Sequence, residues 1–137
     1  MNIKHILIAL TCTISLYADA ETVEWKDYQI HYTAFSSMLI PADVAKAHNI
    51  VRSRRRIVTN ISVRKADSVV AAKLEGRSTN LFGQIFNMEF DEVIETGAIY
   101  YLSNQLIDER DTLNFEIVIS PDDSESAYNL KFKRQYF

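Results

Sequence analysis

Seven residues limit the fold of this chain more than any others. Over residues 113–119, Leu113, Phe115, Ile117 and Ile119 alternate with Asn114, Glu116 and Val118. A period of two with one apolar face marks a strand half buried against another layer. Pro121-Asp122-Asp123-Ser124 then supplies turn chemistry, and Tyr128, Leu130 and Phe132 alternate with Asn129, Lys131 and Lys133. The spacing predicts a hairpin with one apolar face. A lone hairpin is not stable in water, so the preceding chain must cover it.

The same alternation recurs upstream. Tyr28, Ile30 and Tyr32 oppose Asp27, Gln29 and His31, while Val23 and Trp25 keep the other parity, which predicts a bulge or short break near Lys26-Asp27. Ile57, Thr59, Ile61 and Val63 mark a strand over 56–64. After a tight turn at Lys65-Ala66-Asp67, Val70, Ala72 and Leu74 oppose Lys73, Glu75 and Arg77 in a strand over 69–78. Phe86, Met88 and Phe90 extend the pattern, Gly97 marks a turn, and residues 98–102 are apolar on both sides, as in a central strand. Pro41 and the residues after it predict one short helix near 41–48, ended by Asn49. About seven short strands and one helix describe an all-β chain, an antiparallel β-sandwich, with a small β-barrel as the alternative.

Residues 1–20 stand apart from this pattern. Lys4 precedes an apolar run over 6–16, and Ala18-Asp19-Ala20 has the small-x-small form read by signal peptidase. The run is short for a bilayer span. We read a signal peptide cleaved between Ala20 and Glu21, followed by a single domain over 21–137. The one cysteine, Cys12, falls inside the signal, so the exported chain has no disulfide and must hold by packing. A net charge of −3 gives no reason to expect nucleic acid or an anionic membrane as partner.

Several segments resemble a known family. Thr79-Asn80-Leu81-Phe82-Gly83-Gln84, Met88-Glu89-Phe90 and Ala98-Ile99-Tyr100-Tyr101-Leu102 are similar to a family of small exported proteins of Gram-negative bacteria, known only as a domain of unknown function. His31-Tyr32-Thr33-Ala34-Phe35, Val44-Ala45-Lys46-Ala47, Arg52-Ser53, Leu113-Asn114-Phe115 and Leu130-Lys131-Phe132 fit its pattern too. The resemblance spans essentially all of 21–137. It implies an immunoglobulin-like or fibronectin-like sandwich in the periplasm, without an assigned activity. Arg54-Arg55 is more basic than the family's usual residues there.

Catalytic chemistry finds little material. Outside the signal the histidines are His31 and His48, with no cysteine, and a nucleophile–base arrangement needs Ser36 or Ser37 to meet His31 in space. A hydrolase around His31 or His48 is therefore an alternative reading, not the main one. His31, His48, Met38 and Met88 offer soft metal ligands without ligand spacing, and no cofactor is expected. Asp122-Asp123-Ser124-Glu125 lacks the glycine and spacing of a calcium loop. The C-terminal Tyr136-Phe137 does not signal a membrane barrel, because the face in step with Phe137 carries Gln135, Lys133 and Lys131.

Two stretches are candidates for recognition. Arg52-Ser53-Arg54-Arg55-Arg56 suits anionic envelope components, or else protects a strand entrance and pairs with carboxylates such as Asp91 or Glu95. The structural role is favoured. In 79–84, Leu81 and Phe82 sit where a surface loop is usually polar. Either they fold back to plug one end of the sandwich, the favoured reading, or they form a partner-binding tip with Asn80 and Gln84, near Arg52 or Arg56. The expected function is a non-enzymatic binding or accessory module for an envelope protein.

Overall fold

The parity of the sequence sorts its strands into two antiparallel sheets. The structure, a computed structural model, describes residues 20–108 and 110–137; all of the expected signal peptide except Ala20 lies outside them. The first strands are β1 (Glu21–Trp25), β2 (Tyr28–Ser36), β3 (Arg56–Lys65), β4 (Ser68–Val69) and β5 (Ala72–Thr79). They are followed by β6 (Ile85–Met88), β7 (Asp91–Glu95), β8 (Ala98–Leu106), β9 (Asp111–Pro121) and β10 (Tyr128–Tyr136). A 3₁₀ turn (Ser37–Leu39) and a short helix, α1 (Ala42–Ala47), join β2 to β3. One sheet runs β1-β2-β3-β8-β7, with β4 added to β3, and the other runs β10-β9-β5-β6.

The two sheets pack face to face as a β-sandwich, and neither closes into a barrel. Ile30, Ile57, Ile61 and Val63 from the first sheet meet Leu113, Phe115, Ile117 and Ile119 from the second in one buried cluster. Phe115 stacks on Phe132 across the β9–β10 hairpin, with ring centroids 4.5 Å apart and planes 12° from parallel. That hairpin is the one the 113–119 alternation predicts, with Phe115 opposite Phe132. β8 lies between β3 and β7, as its double-sided apolar character requires.

Among the described residues ten strands stand where the alternation suggests about seven, for two physical reasons. Near Lys26-Asp27 the chain makes a two-residue hairpin turn instead of a bulge, with Trp25 opposite Tyr28 and Lys26 at φ +52°. The expected strand over 69–78 divides because the chain changes sheets. Val70 N–H still donates to Val63 in the first sheet, whereas the Ala71 carbonyl already accepts from Asp122 beside the second. A second crossing falls at Glu89-Phe90, between β6 and β7. Met88 is buried and Phe90 packs against the core, but Phe86 is exposed, so the core pattern stops short of it.

The helix packs on the outer side of the first sheet. Pro41 is its N-cap residue, and Asn49 at φ +55° turns the chain away after His48. Ala45, Ile40 and Val58 form a second small core there, flanked by Phe35, Ile50 and Leu102.

Two tyrosines tie the sheets' edges together. Tyr136 donates to the Ala34 carbonyl at 3.0 Å, and Tyr32 donates to Glu21, which also accepts from Arg134 at 2.9 Å. Burial pushes the Tyr136 hydroxyl up, and burial together with the Glu21 hydrogen bond pushes Tyr32 up to about 12. In the unfolded chain both titrate at about 10. Raised folded values contribute stability that is complete below that pH and is lost as pH rises through the folded values. The urea midpoint is expected to start falling above about pH 10, and Tyr136→Phe should remove part of that fall. A midpoint unchanged up to about pH 12 would show that these hydroxyls are not held as described.

Candidate functional site

The loop between β5 and β6 is fixed by its own side chains. Asn80 opens a turn in which its carbonyl accepts from Gly83 N–H at 3.1 Å, with Leu81 and Phe82 as the central residues. Its Oδ1 accepts from the N–H groups of Phe82 and Gln84, at 3.0 and 2.9 Å. Its Nδ2 donates to Gln84 Oε1 at 2.7 Å, and its own N–H donates to the Gln84 carbonyl. Asparagine at the first turn position and glycine at the last are what this geometry favours, and Gly83 takes φ +79° to rejoin β6.

Leu81 and Phe82 do not plug the sandwich. They are 71% and 85% exposed, so the favoured expectation of a fold-back is overturned. Asn80 spends its hydrogen bonds on the turn, which points the two apolar side chains outward. The same end of the molecule gathers further apolar surface. Ile85, Phe86 and Leu106 border a cavity of about 120 Å³ between the sheets beside Asn80 and Gln84, and exposed Phe137 follows Tyr136, which pairs with Asp111 on the same cavity. Ser78 donates to Gln105 at 2.7 Å deeper in that gap, filling it with a satisfied polar pair.

The basic run sits at this end but turns toward the first sheet. Arg52 donates to the Met38 carbonyl at 3.2 Å, and Arg55 donates to the Ile107 carbonyl at 3.0 Å with Asp108 3.9 Å away. Arg56 donates to Asn104 Oδ1 at 2.5 Å. The carboxylates expected as partners, Asp91 and Glu95, are not the ones used. Arg55 and Ile107 also exchange a backbone hydrogen bond of 2.7 Å, which fastens the run to the end of β8. No hydrogen bond or ion pair among the described residues joins Arg52 or Arg56 to residues 80–84. Ile85 and Leu106 belong to no motif that sequence reasoning singles out. The signal that could find Ile85 is parity, since it is out of step with Met88 and so faces solvent.

The residues considered for catalysis have structural partners. Ser37 is fully buried; its hydroxyl lies 2.9 and 3.0 Å from the carbonyls of Val51 and Ser53 and accepts from Ser53 N–H at 2.9 Å. Ser36 Oγ accepts from Met38 N–H at the start of the 3₁₀ turn. His31 Nδ1 shares a 2.8 Å hydrogen bond with Thr22 Oγ1, and His48 caps α1. Among the described residues no three His, Cys, Asp or Glu side chains form a group able to hold a metal. Asp123 accepts from Tyr28 at 2.6 Å and lies 3.6 Å from Lys65, and the Tyr28 hydrogen bond holds its carboxyl below the ordinary range.

Comparison with known proteins gives this fold a family. The family model described as Domain of unknown function (DUF4426) matches residues 22–137. The chain belongs to the DUF4426 family. A crystal structure of a DUF4426 family protein from Pseudomonas aeruginosa PAO1 is 31% identical, with a TM-score of 0.76 over 86% of this chain and 94% of that one. The fold extends further. A copper-bound variant of FetP from uropathogenic Escherichia coli strain F11 superposes with a TM-score of 0.61 at 7% identity, covering 88% of this chain and 96% of that one. FetP as isolated after expression in the E. coli periplasm gives 0.56 at 9% identity, covering 88% and 93%. At such identities the FetP likeness shows the fold alone. No curated protein matches the chain.

Proposed function

We propose that this DUF4426 protein is an exported, periplasmic, non-enzymatic module that docks on an envelope protein through the apolar end of its sandwich. The observation that carries this is the Asn80–Gln84 turn, which holds Leu81 and Phe82 outward at 71% and 85% exposure. Large apolar side chains displayed on a prelocked turn lose little conformational freedom on binding, which is how interface anchors work. Ile85, Leu106 and Phe137 extend the same surface. Arg56 pairs with Leu106 at the border of this surface, where charge steers encounter more than it adds affinity.

Export is supported by the N-terminal sequence pattern, and β1 starts at Glu21, the residue after the expected cleavage site. No helix among the described residues is long and apolar enough to cross a membrane. The FetP variant is copper-bound, whereas the soft ligands of this chain stand on separate elements. Met88 belongs to the core, His31 is engaged by Thr22, and Met38 and His48 stand on different elements. The hydrolase alternative is likewise unsupported, because Ser36 and Ser37 are committed to the backbone and not to a histidine.

Crosslinking in periplasmic extract tests the reading. Leu81→Asp with Phe82→Asp should change stability by no more than about half a kcal/mol per site, as exposed positions do. Loss of the crosslinked partner should accompany it, equivalent to at least about 2 kcal/mol of binding. Undiminished crosslinking by the double variant would sink the docking surface.

A further inference from the structure

The outer side of the first sheet carries a groove that lies apart from the apolar end and does not depend on the docking reading. β3 and β8 form its floor, β7 bounds one side, and α1 with the residues after it supplies the other. Its more apolar part has a volume of about 180 Å³ and is lined by Phe35, Val44, His48, Asn60, Glu95 and Tyr100, among others. A second cavity of about 230 Å³ adjoins it through Val93 and Leu102 and reaches Asp91 and Asn104.

Two independent observations make this a site. The first is an orphaned polar atom in the lining. Asn60 lines the more apolar cavity, and its Oδ1 is buried without a hydrogen-bond partner. Buried polar atoms are nearly always paired, and leaving one unpaired is costly, so an acceptor aimed at a cavity asks for a donor. The second is the sign of the charge. Glu95 lines one cavity and Asp91 the other; neither is in an ion pair among the described residues, and no Lys or Arg lines either cavity. Arg56 at the far rim is already held by Asn104.

From this we infer that the groove binds a small organic cation, a primary ammonium group on an apolar body about the size of one ring. The ammonium group donates to Asn60 Oδ1 and faces the Glu95 carboxylate. Phe35 and Tyr100 offer aromatic surface, which favours cations, and Val44 and Leu102 close on the apolar body. The volume suits this size, since an apolar cavity of about 150 Å³ accepts benzene. The unpaired carboxylates select a donor ligand over an acceptor, so an anion of the same shape is excluded.

Three probes sharing one body test the proposal: phenethylamine, phenethyl alcohol and phenylacetate. Each is titrated into the isotope-labelled protein at neutral pH while the Asn60 side-chain amide and the β7 and β8 backbone resonances are followed. Phenethylamine should shift these resonances saturably and bind at least about tenfold more tightly than the alcohol, with no response to phenylacetate. Glu95→Gln, at an exposed position, should bring the amine down to the alcohol's affinity. Val44→Trp, which fills the groove from α1, should abolish binding at an unchanged melting temperature. The proposal fails if the three probes bind alike, if none binds up to about 10 mM, or if amine binding survives both substitutions.

Discussion

Replacing Phe115 by alanine is expected to remove about 3–5 kcal/mol of stability, measured by chemical denaturation. Phe115 is 1% exposed, stacked on Phe132, and placed in the middle strand of the β10-β9-β5 arrangement. Its loss leaves a ring-sized cavity that rigid neighbours on two sheets cannot collapse to fill. Asn114, the preceding residue, faces solvent, and Asn114→Ala should cost within about half a kcal/mol. Equal costs at the two positions would contradict the register Phe115↔Phe132 on which the core is built.

The second large effect is expected at Ser37. One hydroxyl there serves three backbone groups, the carbonyls of Val51 and Ser53 and the Ser53 N–H, in a place with no access to water. Ser37→Ala strands those groups. At about 1–3 kcal/mol for a buried group left unpaired, and with some relaxation of the loop, the cost should be about 2–4 kcal/mol. Hydrogen exchange should also quicken at Ser53 and across the segment that presents Arg52, Arg55 and Arg56. An unchanged melting transition with unchanged exchange would mean that the loop is held by the arginine contacts alone.

Much of the sandwich is legible in the residues because most of its strands bury one face. In β9 that burial writes itself into the sequence as strict alternation, so the order of residue types alone assigns its faces, while in β3 Val58 breaks the alternation because the helix buries it on the outer face. The breaks are harder. A two-residue turn and a bulge both shift parity by one, and Lys26 adopts φ +52° without the glycine or asparagine that would advertise a turn. Val70 and Ala71 change sheets while parity carries straight through, so no sequence signal divides β4 from β5. The candidate site shows a deeper limit. Leu81 and Phe82 have the same composition whether they plug or protrude, and only the Asn80 hydrogen bonds decide it. The groove leaves no trace in the sequence, because Phe35, Asn60, Glu95 and Tyr100 belong to four different strands and share no local motif.

The three crossings between sheets, β4 to β5, β6 to β7 and β8 to β9, bear on how this chain acquires its structure. Hairpins such as β1–β2, β7–β8 and β9–β10 pair neighbours and can form within microseconds. The pairings that complete the sheets are distant: Ile61 with Tyr101 in one, Gly76 with Ile117 in the other. The loops that these pairings close run through the opposite sheet, so neither sheet can be finished while the other is open. Closure entropy is therefore met before either long-range pairing is rewarded, a regime in which folding takes milliseconds to seconds. A chain cut at Val70-Ala71 would yield no stable half. Each fragment would keep its hairpins and lose the only surface against which they could be buried.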